Sequence, residues 1–280
     1  MLQVEPLSDI AGARISGVDL SQPLAPEAFA QIEQALHRHC FVVLPRQTLS
    51  PRQFGAFAQH WGRAEPHVID TFHHPDDANI LLLSNVSRDG KPIGLLDAGT
   101  YFHTDYSYLA VPARCTMLYA IQMPRQGSGT TFANQTLAYE QLPAAMQERI
   151  EGLVVRHHYG NRDDLDEKSR TVASVLSAEQ KTRVDWVRHR LVRPHPHTGV
   201  KALYGVSGSS FGIDGMDDAE ARTLLDELKD HATAPRLRQT HDYAVGDVIV
   251  WDNAQLLHAA PLTDLSEART LWRITVKEAV

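Results

Sequence analysis

The feature that most limits what this chain can fold into is the shortness of its apolar runs. Phe41-Val-Val-Leu44, Ile80–Ser84, Tyr101–Tyr106, Arg114–Ile121, Thr130–Ala133 and Leu153–Tyr159 all have the length of strands. So do Ala202–Val206, Leu237–Tyr243, Asp247–Trp251 and Arg269–Lys277, and turn-rich pieces such as Ser87-Arg-Asp-Gly90 and Arg125-Gln-Gly-Ser-Gly129 divide them. Helical periodicity is confined to a few places. Phe29, Ile32, Leu36 and Cys40 predict a helix over Pro26–Cys40, and Leu224, Leu225 and Leu228 predict another over Asp217–His231. Ser50-Pro-Arg-Gln53 has the form of a capping box with proline at the first helical position. It opens a helix whose buried face is Phe54, Phe57, Ala58 and Trp61 and whose stop is Gly62. Pro143–Gly152 reads as a further short helix. Short strands with helices at their flanks predict a mainly β fold, a sandwich or jelly roll with helices packed outside. One such domain accounts for all 280 residues. A polar stretch at about 160–190 reads as an insertion and a candidate mobile lid.

A net charge of −7 argues against nucleic acid or an anionic membrane as partner, because both require a basic surface. No apolar run approaches the length of a membrane span. Cys40 and Cys115 lie in apolar surroundings and are too few for a disulfide framework, so they read as buried free thiols. The residues after Met1 lack a basic region followed by an apolar stretch, and the expectation is a cytoplasmic protein.

Histidine is the unusual residue. Fifteen occur, and imidazole is the commonest metal-binding side chain. In Tyr101-Phe-His103-Thr-Asp105, strand alternation would project His103 and Asp105 from one face, where both can grip one ion. Two histidines and one carboxylate on one face of a metal leave other positions open, as in non-haem Fe(II) oxygenases. His258, closing Trp251-Asp-Asn-Ala-Gln-Leu-Leu-His258, is the candidate third ligand. A second triplet, His74-Pro-Asp76, lies in a proline- and aspartate-rich loop where alternation does not apply. His37, His39, His60, His189 and His231 sit in helical or charged surroundings that suit surface or packing roles. His157 and His158 are adjacent, so on a strand only one can face a pocket. His195 and His197 belong to a turn motif, where shaping the backbone is their expected role.

Six segments then occur in one register: Phe102-His-Thr-Asp105, Gly127-Ser-Gly-Thr130-Thr-Phe132, Ala138-Tyr-Glu-Gln-Leu-Pro143, His195-Pro-His-Thr-Gly199, Gly246-Asp-Val-Ile-Val-Trp-Asp-Asn253 leading to His258, and Arg269 through Arg273. Together they resemble the taurine dioxygenase / 2,4-dichlorophenoxyacetate dioxygenase family of 2-oxoglutarate enzymes over most of the chain. The resemblance implies a double-stranded β-helix, or jelly roll, with His103, Asp105 and His258 as Fe(II) ligands and with 2-oxoglutarate and O2 as cosubstrates. It makes Arg269 the partner of the 2-oxoglutarate C5 carboxylate, with Thr130 supplying a hydroxyl to the same group. A guanidinium fork suits that task better than a lysine would. Arg273 matches the residue that holds the sulfonate in taurine dioxygenase, which points to an anionic substrate. Tyr159 falls at an aromatic substrate position, and His67 lies near an early substrate-contacting histidine. Relatives form homodimers or homotetramers.

Alternation alone gives another answer for the last strand. Thr270, Trp272, Ile274 and Val276 make a clean apolar face, which would leave Arg269 and Arg273 in water. The resemblance turns Arg269 inward and leaves both readings of Arg273 open. Three departures set taurine aside as the substrate. Phe102 stands where the family usually has tryptophan, and Gly99 stands where taurine dioxygenase has an asparagine near its substrate. The third is Val68–Asp70, which differs from the residues that the family places after its early histidine.

The reaction this implies is hydroxylation of a small anionic molecule with release of succinate and CO2. The product fragments if the hydroxylated carbon bears a heteroatom. Asp105 occupies a position that a halogenating relative would leave for chloride. Two other readings stay open. A zinc or manganese hydrolase could use the same triad but has no need of Arg269 or Thr130, and a jelly roll could bind iron or 2-oxoglutarate without catalysis.

Overall fold

In the computed structural model, which describes residues 2–96, 98–159, 179 and 185–277, the chain is mainly β. The strands of the first half are β1 (Gln3–Pro6), β2 (Ala13–Ser16), β3 (Phe41–Leu44), β4 (His73–His74), β5 (Asp77–Ser84), β6 (Ser87–Arg88), β7 (Lys91–Pro92), β8 (Ala113–Gln122) and β9 (Thr130–Asn134). Those of the second half are β10 (Val154–His157), β11 (Val187–Arg190), β12 (Val192–Pro194), β13 (Lys201–Leu203), β14 (Ser210–Ile213), β15 (Arg238–His241), β16 (Val248–Asp252), β17 (Leu256–Ala259) and β18 (Thr270–Lys277). The helices are α1 (Pro26–His39), α2 (Pro51–Gln59), α3 (Gln135–Glu140), α4 (Ala144–Ile150) and α5 (Asp218–Ala232).

Eight strands form one sheet in the order β1-β2-β3-β16-β8-β18-β5-β4, antiparallel except where β2 lies beside β3. A smaller sheet, β15-β9-β17, faces it. The contact is direct: Phe132 of β9 stacks on Phe41 of β3, with ring centres 4.4 Å apart. Two sheets closed over an apolar interior make the jelly roll.

Period-two alternation splits each strand of the large sheet between two cores. Val42, Leu44, Ile80, Met117, Tyr119, Val248, Val250, Ile274 and Val276 point outward, where α1 and α2 cover them with Ile32, Leu36, Phe54, Phe57 and Ala58, joined by Trp61 just after α2. Phe41, Val43, Leu81, Leu83, Leu118, Ala120, Ile249, Trp251 and Leu271 point inward. Burying side chains of this size contributes roughly 1.5–3 kcal/mol each, so the sheet stabilises these short helices more than their own propensity does. Local signals set the helix ends. Ser50 and Gln53 form the reciprocal capping box, Ser50 Oγ accepting the Gln53 N–H and Gln53 Oε1 accepting the Ser50 N–H, an arrangement that stabilises by about 1 kcal/mol. Helix α2 ends at Gln59, before the expected stop at Gly62, and Trp61 beyond it is still buried.

Most of the polar stretch at about 160–190 lies outside the described residues, and so does the lid expected there; its last residues form β11. Cys40 and Cys115 are both buried and neither is in a disulfide. Among the described residues, no helix is long and apolar enough to cross a membrane.

On β10, His157 rather than His158 faces inward and is fully buried. Burial, with help from His189 and Arg193, pushes its pKa from 6.5 down to about 3. The unfolded chain protonates this imidazole near pH 6.5, whereas the folded chain resists until about pH 3, so between those values the unfolded state binds the extra proton. Stability is therefore present above pH 6.5 and lost as pH falls through that window, by about 1.4 kcal/mol per pH unit for this group. Urea unfolding of His157→Leu between pH 4.5 and 6.5 should show a pH slope shallower by about one proton. An unchanged slope would mean that His157 charges freely in the folded protein.

Candidate functional site

His103, Asp105 and His258 converge from distant parts of the chain. The Tyr101–Tyr106 segment is not the strand expected from its sequence. His103 makes a single antiparallel bridge to His258, with N–H···O bonds of 3.0 and 2.8 Å, and the chain then turns away, Tyr106 taking φ +55°. The physical reason is the partner of the next two residues. Thr104 Oγ1 donates to the Asn253 carbonyl (2.8 Å) and the Asp105 N–H donates to Asn253 Oδ1 (3.3 Å), so these bonds go to a side chain and a turn instead of a neighbouring strand. Asp105 comes beside His103 because Asn253 holds it there.

His103 Nε2 lies 3.5 Å from Asp105 Oδ1, and His258 Nε2 lies 3.6 Å from Asp105 Oδ2. These exceed hydrogen-bond lengths. They approach the spacing of about 3 Å expected for donors set at right angles, each about 2.1 Å from one ion. His103 Nδ1 is 2.9 Å from the Tyr101 carbonyl, which can only accept, so Nδ1 carries the proton and the Nε2 lone pair faces Asp105. Burial, reinforced by His103, holds the His258 pKa well below 6.5, leaving that ring neutral. Burial opposes the charge on Asp105, but the Arg273 guanidinium outweighs it and keeps the pKa well below the usual carboxylate range. Two imidazole rings and one carboxylate suit a divalent ion.

A second group, His37, His195 and Asp252, also brings three donor atoms within 4.8 Å of one another. Its hydrogen bonds argue against an ion. His195 Nδ1 accepts the N–H groups of His197 (3.2 Å) and Thr198 (3.1 Å), so its proton sits on Nε2 and is donated to Asp252 Oδ2 at 2.8 Å. No lone pair on this ring remains for a metal. The other oxygen of Asp252 accepts the Ala254 N–H at 2.9 Å. His195 latches its own turn onto the end of β16, as a backbone-shaping residue would. The second triplet, His74 and Asp76, does not assemble a site either: His74 Nδ1 accepts the Asp76 N–H at 3.1 Å, the Asp76 carboxylate is 4.0 Å from that nitrogen, and the Asp76 side chain is 75% exposed.

Alternation misplaces both arginines of the last strand. Arg269 is 7% exposed and the Arg273 side chain 11%. Because β18 lies between two packed layers, its apolar face (Trp272, Ile274, Val276) meets the helices, and Arg273 and Thr275 turn inward. Arg273 Nη2 pairs with Asp105 Oδ1 at 2.6 Å. His103, His258, Thr130, Arg269 and Arg273 line one cavity. Thr130 Oγ1 meets the Tyr243 hydroxyl at 2.7 Å, and the Tyr243 pKa is raised to about 12 by burial, with Arg269 opposing the rise. Tyr159 packs edge-on against Tyr108 (4.7 Å), Tyr108 against Tyr106 (5.7 Å), and His67 lies 6.1 Å from Tyr106. All four rings feel the Arg273 charge. Burial, with Arg273 adding to it, pushes His67 down to about 3, so it is neutral near pH 7.

These observations describe three donor side chains that could hold one metal ion, beside two buried arginines on a jelly roll. The sequence profile of the taurine catabolism dioxygenase TauD, TfdA family matches residues 3–275. The chain belongs to that family. It is 32% identical over 281 residues to an alpha-ketoglutarate-dependent 2,4-dichlorophenoxyacetate dioxygenase of Cupriavidus pinatubonensis, covering 96% of each chain. To a (S)-phenoxypropionate/alpha-ketoglutarate-dioxygenase of Sphingobium herbicidovorans it is 29% identical, covering 96% of this chain and 92% of that one. Among solved structures, AAD-2 in complex with Mn(II) and N-oxalylglycine superposes with a TM-score of 0.83 at 27% identity, covering 100% of this chain and 98% of the other. As a member of the TauD, TfdA family, the chain is an oxidoreductase that uses Fe(II), 2-oxoglutarate and O2 on a small-molecule substrate.

Three residues of the site carry no functional signal in the sequence, or the wrong one: Thr116, Tyr243 and Gly99. At Gly99 the departure from asparagine has a geometric cause. The residue has φ +69°, and a Cβ there would lie 2.3 Å from His103 Cε1. Gly127 has a similar φ of +75° with nothing within 4 Å of an added Cβ. Both alanine variants would carry the backbone strain, about 1 kcal/mol, but only Gly99→Ala would displace the imidazole. Gly99→Ala is expected to weaken Mn(II) binding at least tenfold, an effect of about 1.4 kcal/mol, with Gly127→Ala near the parent. Equal affinities in an equilibrium titration would refute this account of Gly99.

Proposed function

We propose that His103, Asp105 and His258 hold Fe(II), that Arg269 and Thr130 take the C5 carboxylate of 2-oxoglutarate, and that Arg273 receives an anionic group of the substrate. Residues 1–280 then act as one dioxygenase domain that hydroxylates a small organic acid. The observation that supports this most is the placement of three donor side chains around one point, in a cavity shared with two buried guanidinium groups. Bound Fe(II) would let O2 act as the oxidant, one oxygen atom passing to succinate as 2-oxoglutarate loses CO2 and the other to the hydroxylated substrate.

The chain's own residues position and shield. The Tyr101 carbonyl locks the His103 ring with its lone pair toward Asp105. Arg273 offers five N–H donors and commits one edge to Asp105, leaving others for a substrate anion. One guanidinium thus tethers the substrate to the same carboxylate that serves the metal, bringing a substrate carbon close to the reacting centre. Tyr159 and His67, with Tyr106 and Tyr108, would form the wall for the organic part, and neutral His67 can hydrogen-bond without repelling Arg273. Relatives named for phenoxyacetate and phenoxypropionate substrates fit such a wall beside a cation. A hydroxylated carbon bearing an ether oxygen would release its alcohol. Two buried cysteines outside any disulfide fit a reducing cytoplasm.

Adding Fe(II) and then 2-oxoglutarate under anaerobic conditions should produce a visible metal-to-ligand charge-transfer band, absent in His258→Ala. Arg269→Ala should raise the 2-oxoglutarate concentration for half-saturation by one to two orders of magnitude, the loss of about 1.5–3 kcal/mol of charge-assisted bonding. A metal-dependent hydrolase would be indifferent to that change, and a non-catalytic binder would consume no O2. Arg273→Gln should leave the 2-oxoglutarate titration unchanged and raise KM for aryloxyacids in an assay of coupled succinate release. Equal turnover of the acids and their methyl esters would exclude the anionic-substrate reading.

A further inference from the structure

The buried side chains behind Asp105 form a hydrogen-bond chain with only one permitted direction. Two groups that can only donate, the Trp251 indole N–H and the Asp105 backbone N–H, both reach Asn253 Oδ1, at 3.2 and 3.3 Å. The Asn253 carboxamide is therefore oriented with Nδ2 toward Thr116 Oγ1, 3.1 Å away, and that oxygen must accept. Thr116 has one hydroxyl proton, and it goes to Asp105 Oδ2 at 2.6 Å, the length of a charge-assisted O–H···O⁻ bond. Thr275 Oγ1 lies 3.2 Å from Thr116 Oγ1, and with the Thr116 proton committed to Asp105 it receives none from Thr116. Asn253, Thr116, Thr275 and Asp105 are all at least 95% buried, so no water competes for these bonds.

We propose that Thr116 and Asn253 are positioning residues for the metal-binding carboxylate: the carboxamide sets the direction of the Thr116 hydroxyl, and the hydroxyl fixes the rotation of Asp105 about its Cβ–Cγ bond. The inference rests on the reading of His103, Asp105 and His258 as metal ligands. A carboxylate free to rotate would move both oxygens relative to the two imidazoles. Held through Oδ2 by Thr116 and through Oδ1 by Arg273, it keeps one setting before any ion arrives. Groups that orient a metal ligand from behind typically change metal affinity about 10- to 100-fold when removed.

The test uses the metal-free full chain with Mn(II) or Co(II) as the probe, and reads affinity, the Co(II) visible spectrum and thermal unfolding. Thr116→Val keeps the shape and removes the proton. It should weaken Mn(II) binding at least about tenfold and alter the Co(II) absorption, while Thr116→Ser should return both to near the parent. Asn253→Ala should weaken binding in the parent background and add little in the Thr116→Val background, because the two act through one proton. A Thr116→Val chain with a shifted unfolding temperature but parental Mn(II) affinity and Co(II) spectrum would overturn the inference, leaving Thr116 a packing residue. Additive losses would overturn the part assigned to Asn253. Failure of the parent chain itself to bind one Mn(II) would overturn the metal-site reading instead, and this inference with it.

Discussion

A carboxylate that water barely reaches governs this structure. Removing an ion such as Asp105 from solvent costs several kcal/mol after relaxation, and the fold offsets that cost from several directions. Arg273 pairs with one oxygen, the Thr116 hydroxyl donates to the other, and Asn253 holds the backbone N–H. These partners come from β18, β8 and the turn after β16, and Asp105 itself follows the His103 bridge to β17. None can be placed without the others, so the same contacts that make the charge tolerable also draw the two sheets together around it.

That demand explains an irregularity of the large sheet. Its strands are apolar on both faces because helices cover one and the smaller sheet the other. The inner face is interrupted at Thr116, Arg273 and Thr275, which lie together against Asp105. Arg269 and Arg273 stand four positions apart, roughly 13 Å along an extended chain. One guanidinium therefore serves the Thr130 and Tyr243 end of the cavity and the other the Asp105 end. Two carboxylate-bearing molecules could bind there without sharing a cation.

Sequence and structure disagree in a few places, each with a physical cause. Strand alternation pairs His103 with Asp105, and the two do meet, but a bridge, a turn and the Asn253 carboxamide bring them together. In β18 the alternation itself is real, and it cannot reveal which face is wet. An apolar face normally marks the interior, and here it marks the surface beneath helices, while the charged face lines the cavity. The His37, His195 and Asp252 group is invisible along the chain because its members are far apart. Even in space, only the direction of the bonds to His195 separates it from the triad. Thr116 looks like any polar residue in a strand, and its meaning lies in a proton whose destination depends on Trp251 and Asn253.

By itself the sequence determined what neighbouring residues impose on each other: the capping box at Ser50, two amphipathic helices expected over Pro26–Cys40 and Asp217–His231, the two-residue period of the strands, and a supply of imidazole, carboxylate and guanidinium groups suited to a metal and to anions. Tertiary structure decided which face of β18 looks inward, which histidines keep an available lone pair, why residue 99 has room for no side chain, and which way the hydroxyl behind Asp105 points. The division has a physical cause. Periodicity and capping are short-range and act within a few residues, whereas burial, tautomer and bond direction depend on groups that become neighbours only after the sheets have closed.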